Sequence, residues 1–208
     1  TTFVSSATVI PGTSCAIDNP SLYKSYAPQD HIFTRFVVSK SPGFLISSNN
    51  TTKMFRFRSN GGYPTLSVWM HNQKYIIAVE GGWSMGTVNY QGGPAVSSTA
   101  WDQVEAEFKL NTPNVSDGLM RLWVNGTLYI EQLNLQLRGP TPTSVNGQGA
   151  LVPSTTRFDN AQIFVQCGVG NMFWDRVAVG DTRIGLAPAG GGTADILTPA
   201  VPRNFRKQ

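Results

Sequence analysis

The stretch Trp101-Asp102-Gln103-Val104-Glu105-Ala106-Glu107-Phe108-Lys109-Leu110, continued by Met120-Arg121-Leu122-Trp123-Val124-Asn125-Gly126, decides the fold class. Val104, Ala106, Phe108 and Leu110 fall on one side of an extended chain, and Gln103, Glu105, Glu107 and Lys109 fall on the other. Met120, Leu122 and Val124 alternate in the same way with Arg121 and Trp123. A period of two belongs to a strand with one buried face. Asn125-Gly126 is a pair that readily takes φ > 0, so it predicts a tight hairpin returning through residues 128–133.

The same pattern extends in both directions. Phe55 and Phe57 alternate with Arg56 and Arg58, and Leu66, Val68 and Met70 alternate with Ser67, Trp69 and His71. Asn72-Gln73 predicts a second tight turn into a strand at 74–80. Late strands are predicted at 161–166 and 172–179. Residues 81–99 and 138–153 are rich in Gly and Pro and predict long loops. The expected fold is all-β, an antiparallel two-sheet sandwich spanning residues 1–187, with 188–208 as a Gly/Pro-rich linker and basic tail.

Composition agrees. The chain has 208 residues, of which 40% are hydrophobic and only 13% charged. An ordinary domain carries about 25% charged residues, so a coiled coil or a long charged bundle is excluded. A chain this long removes about 70% of its unfolded surface from water, so its core needs no metal staple. No apolar run approaches the roughly 20 residues of a membrane span. The formal charge is +4, but the basic residues are scattered apart from Arg203, Arg206 and Lys207. No basic stripe or nucleic-acid motif is present, so nucleic acid is not expected as a partner. The bias remains compatible with an acidic polysaccharide.

Cys15 and Cys167 match no metal or haem spacing. They are compatible with one long-range disulfide in an oxidising compartment, and equally with two buried thiols. Sequons occur at Asn49, Asn50, Asn114 and Asn125. The chain starts at Thr1 without Met or a signal peptide, as expected of a mature or trimmed form.

The run from Trp101 to Thr112, with Asp117-Gly118 and Leu122-Trp123-Val124-Asn125-Gly126, resembles the central strands of concanavalin A-like lectin/glucanase jelly rolls. The likeness is greatest to the polysaccharide-lyase-like members. Phe173-Trp174-Asp175-Arg176-Val177-Ala178-Val179 resembles their closing strand, and Pro199 to Asn204 resembles linkers in modular extracellular proteins. The resemblance implies a jelly-roll sandwich, a secreted or extracellular protein, and a polysaccharide ligand resting on the concave face of one sheet. Lectins, binding modules and enzymes share that fold.

Residues opposite the apolar positions are the candidate ligand contacts: Arg56, Arg58, Trp69, His71, Glu105, Glu107, Lys109, Arg121 and Trp123. Trp can stack on a sugar ring, and the polar groups can hydrogen-bond hydroxyls. Whether they share one surface depends on strand order. Glu105 and Glu107 have Cα atoms about 6–7 Å apart, suggestive of the pair about 5–5.5 Å apart that a retaining glycosidase needs. The third acid carried by glucanases of this fold is missing, and a solvated strand face is the plainer account.

A polysaccharide lyase would need a group that offsets the uronate carboxylate and a base that removes the C5 proton. His71, Gln73, Tyr75 and Arg56 could supply them. The Gln-x-His strand motif of alginate-lyase-like jelly rolls is absent from its usual place, and Gln29-Asp30-His31 has those letters only in a Pro-flanked, loop-like context. No cofactor is required. A structural calcium would suit the fold, with Asp117, Asp159 and Asp175 as candidate oxygen ligands, although no EF-hand spacing selects them.

The leading expectation is a polysaccharide-binding, lectin-like domain without catalysis. Its alternatives are a lyase acting by β-elimination and a structural subunit of a fibre, surface layer or phage particle. In the last, the terminal segments 1–11 and 187–208 would engage neighbouring copies.

Overall fold

The computed structural model describes residues 3–7, 21–46, 51–59, 62–80, 87–139, 152–153, 155, 157–166, 168–186 and 206–207. Cys15, Cys167, Asn49, Asn50 and nearly all of the expected linker lie outside these residues. In chain order the strands are β1 (Phe3–Ala7), β2 (Ser21–Gln29), β3 (His31–Lys40), β4 (Leu45–Ile46), β5 (Thr51–Ser59), β6 (Gly62–His71), β7 (Lys74–Glu80) and β8 (Thr87–Tyr90). They continue as β9 (Asp102–Lys109), β10 (Gly118–Val124), β11 (Thr127–Leu135), β12 (Arg138–Gly139), β13 (Val152–Pro153), β14 (Phe158–Gln166), β15 (Gly168–Gly180) and β16 (Arg206–Lys207).

Two antiparallel sheets form a sandwich. The first runs β1-β15-β3-β9-β10-β11, with β4 also paired to β15, and the second runs β16-β2-β14-β5-β6-β7-β8. A two-residue parallel ladder joins β12 to β13. Both predicted hairpins form. Asn72 and Gln73 have φ of 48° and 64°, while Asn125 and Gly126 have 52° and 82°. Positive φ at both central residues matches the right-handed twist of the flanking strands.

The core is an aromatic seam between the sheets. Phe36 of β3 stacks on Phe55 of β5 with centroids 5.4 Å apart. Phe57 meets Phe55 and Phe108 edge-on at 4.9 and 5.7 Å. All four rings are fully buried. Ring pairs of this kind contribute about 0.5–1.5 kcal/mol beyond the burial of their area.

Several details differ from the sequence reading. β2 and β3 were not expected as strands. Gln29 closes β2 and His31 opens β3, with only Asp30 bent between them. The 81–99 stretch contains β8. The described parts of the terminal segments pair within their own chain: β1 lies on β15 and β16 on β2.

Tyr75 is the largest departure. It was grouped with His71 as a candidate catalytic residue, yet it is fully buried in the core. Its hydroxyl donates to Asp102 Oδ2 at 3.0 Å, joining the two sheets. Burial, then the Asp102 charge and the hydrogen bond to it, push the phenol well above its usual pKa. Tyr75→Phe is expected to cost about 1–3 kcal/mol by removing a donor from a buried carboxylate. Urea unfolding checks this, and a cost near zero would show that Asp102 does not need the hydroxyl.

Candidate functional site

Strand order divides the predicted contacts between opposite surfaces of the sandwich. Glu105, Glu107, Lys109, Arg121 and Trp123 stand on the outer face of the first sheet, in register across β9 and β10. Arg56, Arg58, Trp69 and His71 stand on the outer face of the second, across β5 and β6. No single surface holds all nine.

On the first sheet, the carboxylates are matched within the chain. Glu107 accepts from His31 Nε2 at 2.8 Å and Arg121 at 3.1 Å, and Arg121 also donates to Glu131 at 2.7 Å. Residues 183–185 pass over Glu105. Ile184 N and Gly185 N donate to its Oε1 at 2.9 and 2.8 Å, and Arg183 Nε reaches Oε2 at 3.2 Å. The Arg183 guanidinium also lies 4.3 Å from the Trp123 ring centre, so Trp123 is not an open stacking platform.

The second sheet differs. The antiparallel ladders place Tyr23, Gln162, Arg56 and Ser67 in one cross-strand row, and Ser25, Asn160, Arg58, Thr65 and Glu80 in the next. Arg56 Nε donates to Gln162 Oε1 at 2.6 Å, and its guanidinium lies 4.4 Å from the Phe164 ring centre. An amide on one side and an aromatic face on the other hold that fork in one orientation. Lys53 sits 4.7 Å from the Trp69 ring centre and donates to Glu80, which also accepts from Thr65. Trp69 is only 5% exposed, against the expectation of an accessible ring. His71 Nδ1 meets Thr51 Oγ1 at 2.9 Å at the end of β6. Gln73 is in the following turn and accepts from Lys40 Nζ at 2.6 Å.

Sequence reasoning missed Tyr23, Asn160 and Gln162. The signal for Gln162 was available, because it alternates with Ala161 and Ile163 on a predicted strand. Tyr23 lay on a strand that was not anticipated.

The three candidate calcium ligands lie on separate elements. Asp117 follows the turn after β9, Asp159 is in β14 and Asp175 is in β15. Among the described residues, no group of three or more His, Cys, Asp or Glu could hold a metal ion.

No protein-family model and no curated protein matches the chain. Solved structures do. The endo-beta-1,4-glucuronan lyase of the fungus Trichoderma reesei matches with a TM-score of 0.60 at 14% identity, over 87% of this chain and 80% of that one. A mutant of alginate lyase Aly36B in complex with alginate trisaccharide matches at 0.54 and 10% identity, over 88% and 81%. Cellulose induced protein Cip1 matches at 0.52 and 15% identity, over 79% and 74%. The likeness is one of fold. It agrees with the jelly-roll resemblance of the 101–126 hairpin.

Asp117 accepts from Thr112 N at 2.6 Å, from Lys109 Nζ at 3.2 Å and from Thr112 Oγ1 at 3.0 Å. The backbone hydrogen bond, followed by those from Lys109 and the Thr112 hydroxyl, lowers its pKa below the usual aspartate value. Because the folded pKa lies below the unfolded one, the carboxylate stabilises the fold above the ordinary aspartate pKa. That contribution disappears as pH falls through the lowered value. Carboxyl-carbon NMR should place the Asp117 titration below that of a free aspartate, and an ordinary midpoint would contradict the turn geometry.

Proposed function

We propose that the outer face of the second sheet binds an acidic polysaccharide, without catalysis. The observation that carries this reading is the row Tyr23–Gln162–Arg56, flanked by Arg58 and Lys53. It sets the partly exposed phenol of Tyr23 and guanidinium of Arg56 on either side of Gln162, which is buried and holds Arg56 in place, across strands about 4.8 Å apart. Lys53, Arg56, Arg58 and Lys74 stand on β5–β7 against the single carboxylate of Glu80. The first sheet, by contrast, pairs Glu105, Glu107 and Glu131 with its own Arg183 and Arg121. The fold shared with a glucuronan lyase and with an alginate lyase solved with alginate trisaccharide supports a glycan as the ligand class. Extracellular location would suit such a ligand.

The same row favours a second reading, a lyase. Arg56, held by Gln162, would offset a uronate carboxylate, and Tyr23 as its phenolate would take the C5 proton and pass it to O4 as the C4–O4 bond breaks and a C4=C5 double bond forms. Tyr75 has no part in it. Binding is preferred because His71 is held at the strand end by Thr51, away from the row.

A panel of alginate, glucuronan and polygalacturonate tests both readings. Retention without ultraviolet absorbance of an unsaturated uronide is the expected result, and retention should weaken with salt. Arg56→Ala is expected to weaken binding about 10- to 100-fold, the size of a hydrogen bond to a charged group. Lys109→Ala on the opposite face should change nothing. Equal effects of the two substitutions would overturn the assignment of the face, and absorbance lost in Tyr23→Phe would establish the lyase.

A further inference from the structure

Of the four described tryptophans, Trp69, Trp123 and Trp174 are buried, whereas Trp101 is 47% exposed. Trp101 stands immediately before β9, on the outer face of the first sheet, because its neighbour Asp102 turns inward to Tyr75. Phe173 in β15 shares that face, since Trp174 beside it belongs to the core. β3 lies between β15 and β9, so the two backbones are two inter-strand steps apart, about 10 Å. The ring centres are only 6.4 Å apart, with planes tilted by 59°. The side chains therefore lean together and form a shallow, open angle of aromatic surface.

Single exposed apolar side chains are ordinary on protein surfaces. Three features set this one apart. The backbone that carries Trp101 is fixed before any ligand arrives, because Ser97 N donates to the buried Asp102 at 2.9 Å and Ala100 N donates to Ser97 Oγ at 2.9 Å. The indole N–H makes no hydrogen bond among the described residues. The adjacent outward row, Asp175–Val37–Gln103, holds one charge, and that carboxylate accepts from Arg176 N at 2.8 Å and lies 3.8 Å from Arg176 Nε.

We infer that Trp101 and Phe173 form a second glycan site, for an uncharged β-linked pyranose chain, on the surface opposite the cationic face. This goes beyond the acidic-polysaccharide reading and does not depend on it. β-Linked glucose and xylose carry their hydroxyls equatorially, so each ring face presents axial C–H groups to an aromatic ring. The indole N–H supplies the polar handle for a hydroxyl at the rim. Charge matched within the chain beside the rings gives an anion no advantage here. Size selects the same ligand: an aromatic side chain carries roughly 150–250 Å², so two partly exposed rings offer on the order of 150 Å², whereas a stable protein partner needs about 800 Å² on each side. The platform suits one or two sugar rings and not a subunit.

The test is calorimetric titration of the full chain with cellohexaose and xylohexaose, comparing wild type with Trp101→Ala and Leu133→Ala. Leu133 is equally exposed, at 47%, on the edge strand β11 of the same sheet, and it controls for non-specific apolar contact. Saturable binding of at least one oligosaccharide by wild type is the expected result. Trp101→Ala should weaken it about 10-fold or more, and Leu133→Ala should leave it unchanged. Binding should be insensitive to salt and unaltered by excess alginate. Circular dichroism and thermal melting confirm that each variant is folded. Equal binding by wild type and Trp101→Ala, or displacement by alginate, would overturn this inference. So would a wild-type dimer that Trp101→Ala dissolves, which would give the platform to a protein contact. Retention on alginate without oligosaccharide binding would overturn this inference alone, and oligosaccharide binding without retention on any acidic polymer would overturn the acidic-polysaccharide reading alone.

Discussion

The buried carboxylate of Asp102 is the point on which the geometry of both sheets turns. Removing a carboxylate from water costs several kcal/mol unless donors replace the lost hydration. Three donors do so: the Tyr75 hydroxyl, Ser97 N and the Asn125 side-chain amide, at 3.0, 2.9 and 3.0 Å. They come from the second sheet, from the segment between β8 and β9, and from the hairpin after β10. One desolvated charge therefore fixes Tyr75 inward. Side chains alternate along a strand, so an inward Tyr75 sets Ile76, Ala78 and Glu80 outward. The ladder carries that parity to Thr65, Ser67 and Trp69, then to Arg56 and Arg58, and on to Asn160 and Gln162. The candidate face is the reverse side of a constraint set in the core.

The two outer faces solve opposite electrostatic problems. On the first sheet, Glu105, Glu107 and Glu131 meet Arg183, His31 and Arg121. The exposed Arg121–Glu131 pair contributes little, about 0–1 kcal/mol, whereas Glu105 and Glu107 are buried and would be costly to leave without their partners. Glu105 is better held, because two backbone N–H groups converge on one of its oxygens. Among the described residues of β5–β7, four cations stand with the one acid Glu80, and Arg56 is held by an amide and a ring. A guanidinium fixed before a ligand arrives loses less rotamer freedom on binding.

Local backbone chemistry was the most legible part of the sequence. Asn72-Gln73 and Asn125-Gly126 were readable as turns because Asn and Gly take positive φ readily, whatever their distant contacts. The parity of β9 and β10 was readable because their outward positions are mostly charged. Tyr75 was misplaced for a physical reason. In Lys74–Glu80, Tyr75, Ile77 and Val79 alternate with Ile76 and Ala78, so both sides are apolar and the pattern does not say which faces the core. β3 hid in the same way, since Ile32, Phe36 and Val38 alternate with Phe33 and Val37. Pro28 then drew the reading of β2 toward a loop, although it lies near that strand's end.

Sheet membership is a different kind of information, and alternation within a strand does not carry it. Trp69 and Trp123 give the same local signal, an aromatic residue opposite an apolar row. Long-range pairing sends one to each outer surface, with Lys53 over one ring and Arg183 over the other. The Glu105–Glu107 pair illustrates the consequence for chemistry. Spacing alone suggested two carboxyl groups free to flank a scissile bond. In the fold both oxygens of Glu105 accept hydrogen bonds, and Glu107 is bridged between His31 and Arg121. A general acid must direct its proton at the leaving oxygen, and a nucleophile must direct a lone pair at the sugar carbon. Here those directions are spent on the chain itself, so the pair serves to tie β9 to residues 183–185 and to β3 and β10.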